Sequence, residues 1–188
     1  MTCGMKLEFY IYDDELWYIT TDGRNCKLTE NDTDIIAGLL SSISEMYPAA
    51  YASLQEEYSR SATNGKYYQF LMVRRFCKCN LGKLDNTKID LANGTFNMER
   101  VSCPLRGECK HEGVICCPKF NSKLSEAELR VMRLVYDGLS NEEIAERLFL
   151  SPHTIKNHIK SVYAKLGIHE KAEFVKYADK NDIFCLTS

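Results

Sequence analysis

No apolar run in this chain approaches the ~20 residues that a membrane-crossing helix needs. The opening MTCGMKLEFYIYDDE has neither a basic start nor an unbroken apolar core. A secretory leader, a spanning anchor and a lipidation site are therefore not expected, and the chain is expected in the cytoplasm. Internal repeats and low-complexity tracts are missing as well. Charge of one sign is not in excess: 24 Lys+Arg against 26 Asp+Glu give a formal charge of -2. That balance excludes a general polyanion binder, so any nucleic-acid affinity has to come from local charge and from dimerisation. Histidine is scarce, and His111, His153, His158 and His169 show no spacing of a catalytic set. No CxxC accompanies a βαβ pattern, the mark of a thioredoxin-like dithiol. An enzyme is not expected on these grounds. A thiol oxidoreductase using Cys77/Cys79 or Cys116/Cys117 is the remote alternative, and such adjacent or alternate cysteines make poor dithiol pairs.

What the chain does have is cysteine. There are nine, and six fall between Cys77 and Cys117 as Cys77-Lys-Cys79, Cys103-Pro-Leu-Arg-Gly-Glu-Cys109 and Cys116-Cys117-Pro118. In a reducing compartment a local thiol cluster reads as a metal site rather than as disulfides. Zinc takes four thiolate or imidazole ligands, commonly from turns, and Pro104, Gly107, Gly113 and Pro118 supply turns here. The stretch Cys103 to Phe120 has little apolar content, so a metal would supply the stability it lacks. The ligand set chosen is Cys79, Cys103, Cys109 and Cys116, with Cys77, Cys117 and His111 as substitutes. An iron–sulfur cluster, or unliganded or redox-active thiols, are the alternatives. The metal is read first as a staple and second as a sensor. Cys3, Cys26 and Cys185 are scattered and read as ordinary apolar residues or free thiols.

Ahead of this cluster, residues Lys6 to Leu28 alternate aromatic and β-branched residues with charges. They break at Asp13-Asp14 and Asp22-Gly23, which predicts two or three short antiparallel strands. A polar patch at Thr29 to Asp34 can cap a helix bearing Ile35, Ile36, Leu39, Leu40, Ile43 and Met46 that ends before Pro48. A second helix is expected over Ala49 to Arg60. Asn64-Gly65 then reads as a turn into a buried strand from Lys66 to Lys78, followed by a turn-rich link over Asp85 to Gly94 and a strand over Thr95 to Ser102. The aromatics Phe9, Tyr10, Tyr12, Trp17 and Tyr18 read as core, with a ligand-pocket lining as the alternative.

Leu124 to Gly167 carries three helix starts in close succession. Ser125 with Glu128 and Ser140 with Glu143 are capping boxes, and Ser151 is an N-cap with Pro152 at the first helical position. Leu129, Met132, Val135 and Tyr136, then Ile144, Ala145 and Leu148, then Ile155, Ile159, Val162 and Leu166 supply the apolar stripes. Gly138 and Gly167 end helices, and Ala145 lets two of them approach closely. Between Glu146 and Glu170 there is no acid, while Arg147, Lys156, Lys160 and Lys165 are present. Such a helix can neutralise phosphates, and Asn157 can read base edges. A solvated basic surface is the bland alternative.

This segment resembles the LuxR/FixJ/GerE-type helix-turn-helix of bacterial transcription factors from Leu124 to about Ala178. Glu128, Val131, Gly138, Ser140, Asn141, Glu143, Ile144, Ala145, Ser151, Thr154, Ile155, Lys156, His158, Lys165, Leu166 and Gly167 carry the likeness. Two positions depart from the pattern: Ala127 stands where Arg is common, and Lys171 where Arg is usual. The resemblance implies a sequence-specific regulator that binds double-stranded DNA with the helix Pro152 to Leu166 in the major groove. Ser151, Thr154, Lys156, Asn157, His158, Lys160, Ser161 and Lys165 are its expected DNA-binding residues. It also implies a fourth helix, about Glu170 to Asp179, as a homodimer contact; in that stretch Ala172, Val175 and Tyr177 or Ala178 offer a small apolar face. A sigma-like subunit acting with RNA polymerase is the alternative. The front part lacks the βα alternation of a phosphoacceptor receiver. The expected architecture is α+β in three parts: residues 1–102 as a small α+β domain, 103–121 as a Cys-rich segment stapled by metal together with Cys79, and 122–188 as an all-α, four-helix domain.

Overall fold

The computed structural model describes residues 6–84, 89–92, 94–181 and 183–184. The chain forms two compact units, Met1–Lys119 and Phe120–Ser188, and the Cys-rich stretch up to Lys119 falls within the first. Cys3 and Cys185, and residues 85–88 and 93 of the expected link, lie outside the described residues.

The first unit opens with β1 (Lys6–Tyr12), β2 (Glu15–Thr20) and β3 (Asn25–Lys27). Asp13 and Asp14 both take positive φ, 52° and 60°, the backbone of a two-residue hairpin turn whose twist matches its strands. Phe9 pairs with Tyr18 and Ile11 with Leu16 across the hairpin, which puts Leu7, Phe9, Leu16 and Tyr18 in the core. Tyr10 and Trp17 stack on the opposite face and Tyr12 is exposed. The aromatic run is thus divided between core and surface by the two-residue period of the strand.

Three helices follow: α1 (Thr33–Met46), α2 (Pro48–Glu57) and α3 (Gly65–Asn80), with a short 3-10 turn at Ser59–Ser61. The strand expected from Lys66 to Lys78 is therefore a helix. Asn64 is its N-cap, with the side-chain oxygen accepting the Tyr67 backbone N–H at 3.3 Å. Met72, Val73, Phe76, Cys77 and Asn80 are buried, a helical spacing that the aromatic composition of the run disguised. Tyr47, Phe76 and Phe96 form an aromatic triangle at the centre, with ring centroids 5.4 to 6.2 Å apart.

Two short strands, β4 (Leu91–Ala92) and β5 (Thr95–Phe96), complete an antiparallel sheet of order β3-β2-β1-β4-β5. So part of the expected link is strand, and the strand expected over Thr95–Ser102 stops at Phe96. The reason is visible in the backbone: the Glu99 N–H leaves the ladder and donates to the Asn80 carbonyl at the end of α3, at 2.8 Å.

The second unit has α4 (Glu126–Tyr136), α5 (Asn141–Leu148), α6 (Pro152–Leu166) and α7 (Lys171–Lys180). Its core joins Val131, Met132, Val135, Ile144, Ala145, Ile155, Val162, Phe174 and Ala178. Ala178 thus faces the core rather than an outer face of α7, while Ala172 is exposed and Val175 and Tyr177 are half-buried. Among the described residues no helix is long and apolar enough to cross a membrane.

Candidate nucleic-acid interface

Three caps set the directions of α4, α5 and α6. In α4 the Ser125 hydroxyl accepts the Glu128 N–H at 3.3 Å while the Glu128 carboxylate accepts the Ser125 N–H at 2.9 Å. Ser140 and Glu143 repeat the pattern at 3.3 and 2.7 Å. Ser151 caps α6 by accepting the Thr154 N–H at 3.1 Å, with Pro152 at the position whose N–H would be unused. Between α5 and α6 the chain reverses through Phe149, which takes the left-handed conformation at φ 55° with its side chain 95% exposed. The Leu150 N–H returns to the Ala145 carbonyl at 2.9 Å and closes the turn. Gly167, at φ 65°, ends α6.

Glu128 does more than cap. It is almost fully buried, and it accepts the Ser161 hydroxyl at 2.9 Å and the Lys165 ammonium at 2.7 and 2.8 Å. Lys165 in the first place, then the Ser125 backbone, hold its carboxyl down to about 2, against an ordinary value of 4.5. One carboxylate thereby fastens the far end of α6 to the start of α4. Ser161 and Lys165, expected to face DNA, have their donor groups on this carboxylate.

The outward side of α6 is left to Pro152, His153, Lys156, Asn157, Lys160 and Ala164, all exposed, with Thr154 and His158 half-buried beside them. Lys156 and Lys160 are one turn apart and meet no carboxylate among the described residues. The exposed Ser151 hydroxyl shares a 2.9 Å hydrogen bond with Thr154. A helix presented this way, basic outside and fixed inside, can lie along a polyanion and keep its register there.

Residues 122–178 match the model of the family described as bacterial regulatory proteins, luxR family. This segment is a LuxR-family helix-turn-helix domain. Over 55 residues the chain is 49% identical to a protein of Mycobacterium tuberculosis (strain H37Rv) named "Putative HTH-type transcriptional regulator", a match covering 29% of this chain and 6% of that one. It is 42% identical over 60 residues to the Fimbriae Z protein of Salmonella typhimurium, covering 32% and 29%. With the Fimbriae Z protein of Escherichia coli K12 it is 44% identical over 55 residues, covering 29% and 26%. The chain spans less than a third of the length of each of these relatives. All three matches are about as long as the LuxR-type domain, whose spacing of caps and apolar residues carried the sequence reading.

The cysteines lie in the other unit. Cys79, in the last turn of α3, lines one cleft of about 450 Å³ with Cys103, Cys109 and Cys116. Cys77 is fully buried in the core, where desolvation drives its thiol pKa up. Cys117 is exposed, and its backbone N–H donates to the Asn80 side chain at 3.0 Å. His111 is buried between Ser53 and Glu57, with its ring nitrogens 3.2 and 3.1 Å from their oxygens. Sequence reasoning missed Asn80 and Arg75. Asn80, buried beside Cys79, donates to the carbonyls of Phe76 and Ile115. Arg75 reaches the Cys109 sulfur at 3.8 Å. Neither has a local signal for its tie to the loop, since Ile115 and Cys109 lie more than thirty positions away.

Proposed function

We propose that this chain is a sequence-specific DNA-binding transcriptional regulator of the bacterial cytoplasm, with α6 entering the major groove. The observation that carries this reading is the acid-free outer face of α6, held in place by the buried Glu128. Lys156 and Lys160 would meet phosphates or guanine edges, Asn157 would read an adenine edge, and Ser151, Thr154 and His158 would fix the helix start on the backbone. The name of the mycobacterial relative points the same way. Two copies meeting through exposed Ala172 and half-buried Val175 and Tyr177 of α7 would place two reading helices on a two-fold site.

Selection of bound sequences from a random duplex pool, followed by binding of the selected duplex, tests this. An enriched sequence motif bound by the native chain and lost by the Lys156→Ala, Lys160→Ala variant is the expected result. A pool that stays random through selection would refute it. Molar mass that rises with concentration, and stays monomeric in Val175→Asp, is the expected sign of the α7 contact.

A further inference from the structure

We infer that Cys79, Cys103, Cys109 and Cys116 bind one zinc ion that fixes the loop from Cys103 to Cys117 onto the end of α3.

The loop is a succession of turns with almost no core of its own. Arg106 donates to the Cys103 carbonyl, Cys109 to that of Leu105, Glu112 to that of Cys109 and Gly113 to that of Cys116. Gly107 and Gly113 take positive φ, 89° and 75°, so these turns need glycine. Among the apolar side chains from Cys103 to Cys117, Ile115 alone is in the core. Yet the loop is tied at two places that aim its cysteines at one cleft. Asn80 holds Ile115 and Cys117 against α3, next to Cys79, and His111 with Lys110 holds the middle of the loop to Glu57 of α2.

Four thiols from two elements therefore share one cavity wall. Cys79 stands in the last turn of α3, beside the Asn80 that ties down the end of the loop. Of the competing donors, Cys77 is in the core, His111 lines the cleft with both ring nitrogens engaged, and exposed Cys117 has its sulfur 3.9 Å from that of Cys116. As they stand, no three His, Cys, Asp or Glu side chains among the described residues form a group able to hold a metal. Binding thus requires the thiols to turn inward, which exposed Cys103 and its loop can do until sulfur–zinc distances reach ~2.3 Å.

The charge around the cleft suits the product. A zinc ion with four thiolates carries two negative charges, each thiol having passed its proton to solvent as its bond to the metal forms. Arg75 donates towards the Cys109 sulfur, and its Nε is buried without a partner among the described residues. Arg106 lies beside Cys116 and Cys117. Such N–H donors to ligating sulfur are what hold thiolate sites in shape.

The test uses the full chain expressed with zinc supplied. Native mass spectrometry before and after a chelator should show the loss of one zinc ion per chain. Cobalt added to the chelated chain should give the thiolate charge-transfer and tetrahedral d–d bands of a four-sulfur site. Serine at Cys79, Cys103, Cys109 or Cys116 should weaken retention at least tenfold, while Cys117→Ser keeps the metal. If a serine variant fails to fold, the cobalt spectrum of the native sequence still decides. A metal-free folded chain in which all four thiols react freely would overturn the proposal. So would iron with acid-labile sulfide, or loss of zinc in Cys117→Ser with full retention in Cys103→Ser.

Discussion

The Lys165 ammonium sits 2.7 and 2.8 Å from the two carboxylate oxygens of Glu128, joining residues 37 apart in the chain. Glu128 is buried and Lys165 half exposed, so the pair is anchored at its protein end and hydrated at the other. The same carboxylate completes the cap of α4 and accepts Ser161. One side chain therefore ties the proposed reading helix to α4, in addition to the core contacts of Ile155 and Val162.

Replacing Glu128 removes all of these bonds at once and leaves the Ser125 N–H without its cap. Glu128→Ala is expected to destabilise the LuxR-type domain by about 2–3 kcal/mol, since bonds to a charged group and a helix cap are lost together. Chemical denaturation followed by circular dichroism measures this. A loss below about 0.5 kcal/mol would show that the bonds are dispensable.

The depressed acidity of Glu128 gives a pH dependence of fixed sign. Its carboxyl sits at about 2 in the folded chain against 4.5 ordinarily, so the unfolded state takes up the proton first as acid is added. The stabilisation is fully present above about pH 5 and is lost as the pH falls from there towards 2. Melting temperatures recorded across this range should fall more steeply for the native chain than for Glu128→Gln, which has no carboxylate to titrate.

Phe149 holds a left-handed backbone with its ring in solvent, an arrangement that suits glycine better than phenylalanine. Phe149→Gly is expected to leave stability unchanged or raise it by up to about 1 kcal/mol, whereas Gly167→Ala at the end of α6 should cost about 1 kcal/mol. Paired denaturation curves compare them. A marked loss in Phe149→Gly would mean that the ring is needed in the folded state.

Asn80 bonds through its side chain to the carbonyls of Phe76 and Ile115, both buried, and to the part-buried Cys117 N–H. Asn80→Leu leaves the latter two groups unpaired and should cost about 2–4 kcal/mol. Hydrogen exchange should quicken first at Ile115 and Cys117. Uniform exchange across the unit would argue against a local clasp.

The helix-turn-helix was legible because its determinants are local: a serine, a glutamate three residues on, and apolar residues at helical spacing. The LuxR-family match over residues 122–178 agrees with that reading. What could not be read is long-range. Nothing near Glu128 in the sequence announces Lys165, and nothing near His111 announces Ser53 and Glu57. The misread α3 had a different cause: its aromatic and apolar residues suit either structure, and the run of sixteen residues behind an asparagine cap was the better guide. The two-residue strands β4 and β5 exist through pairing with β1 and with each other, and so have no pattern of their own.

The salt dependence of DNA binding tests the central claim most directly. Affinity for a selected duplex, measured from low to moderate salt, should fall linearly on logarithmic axes. The Lys156→Ala, Lys160→Ala variant should bind more weakly, with a slope smaller by roughly one to two ions, and keep the native circular dichroism spectrum. Equal affinity and slope in the native and doubly substituted chains would contradict the account, because the outer face of α6 would then not be where the charge of DNA is met.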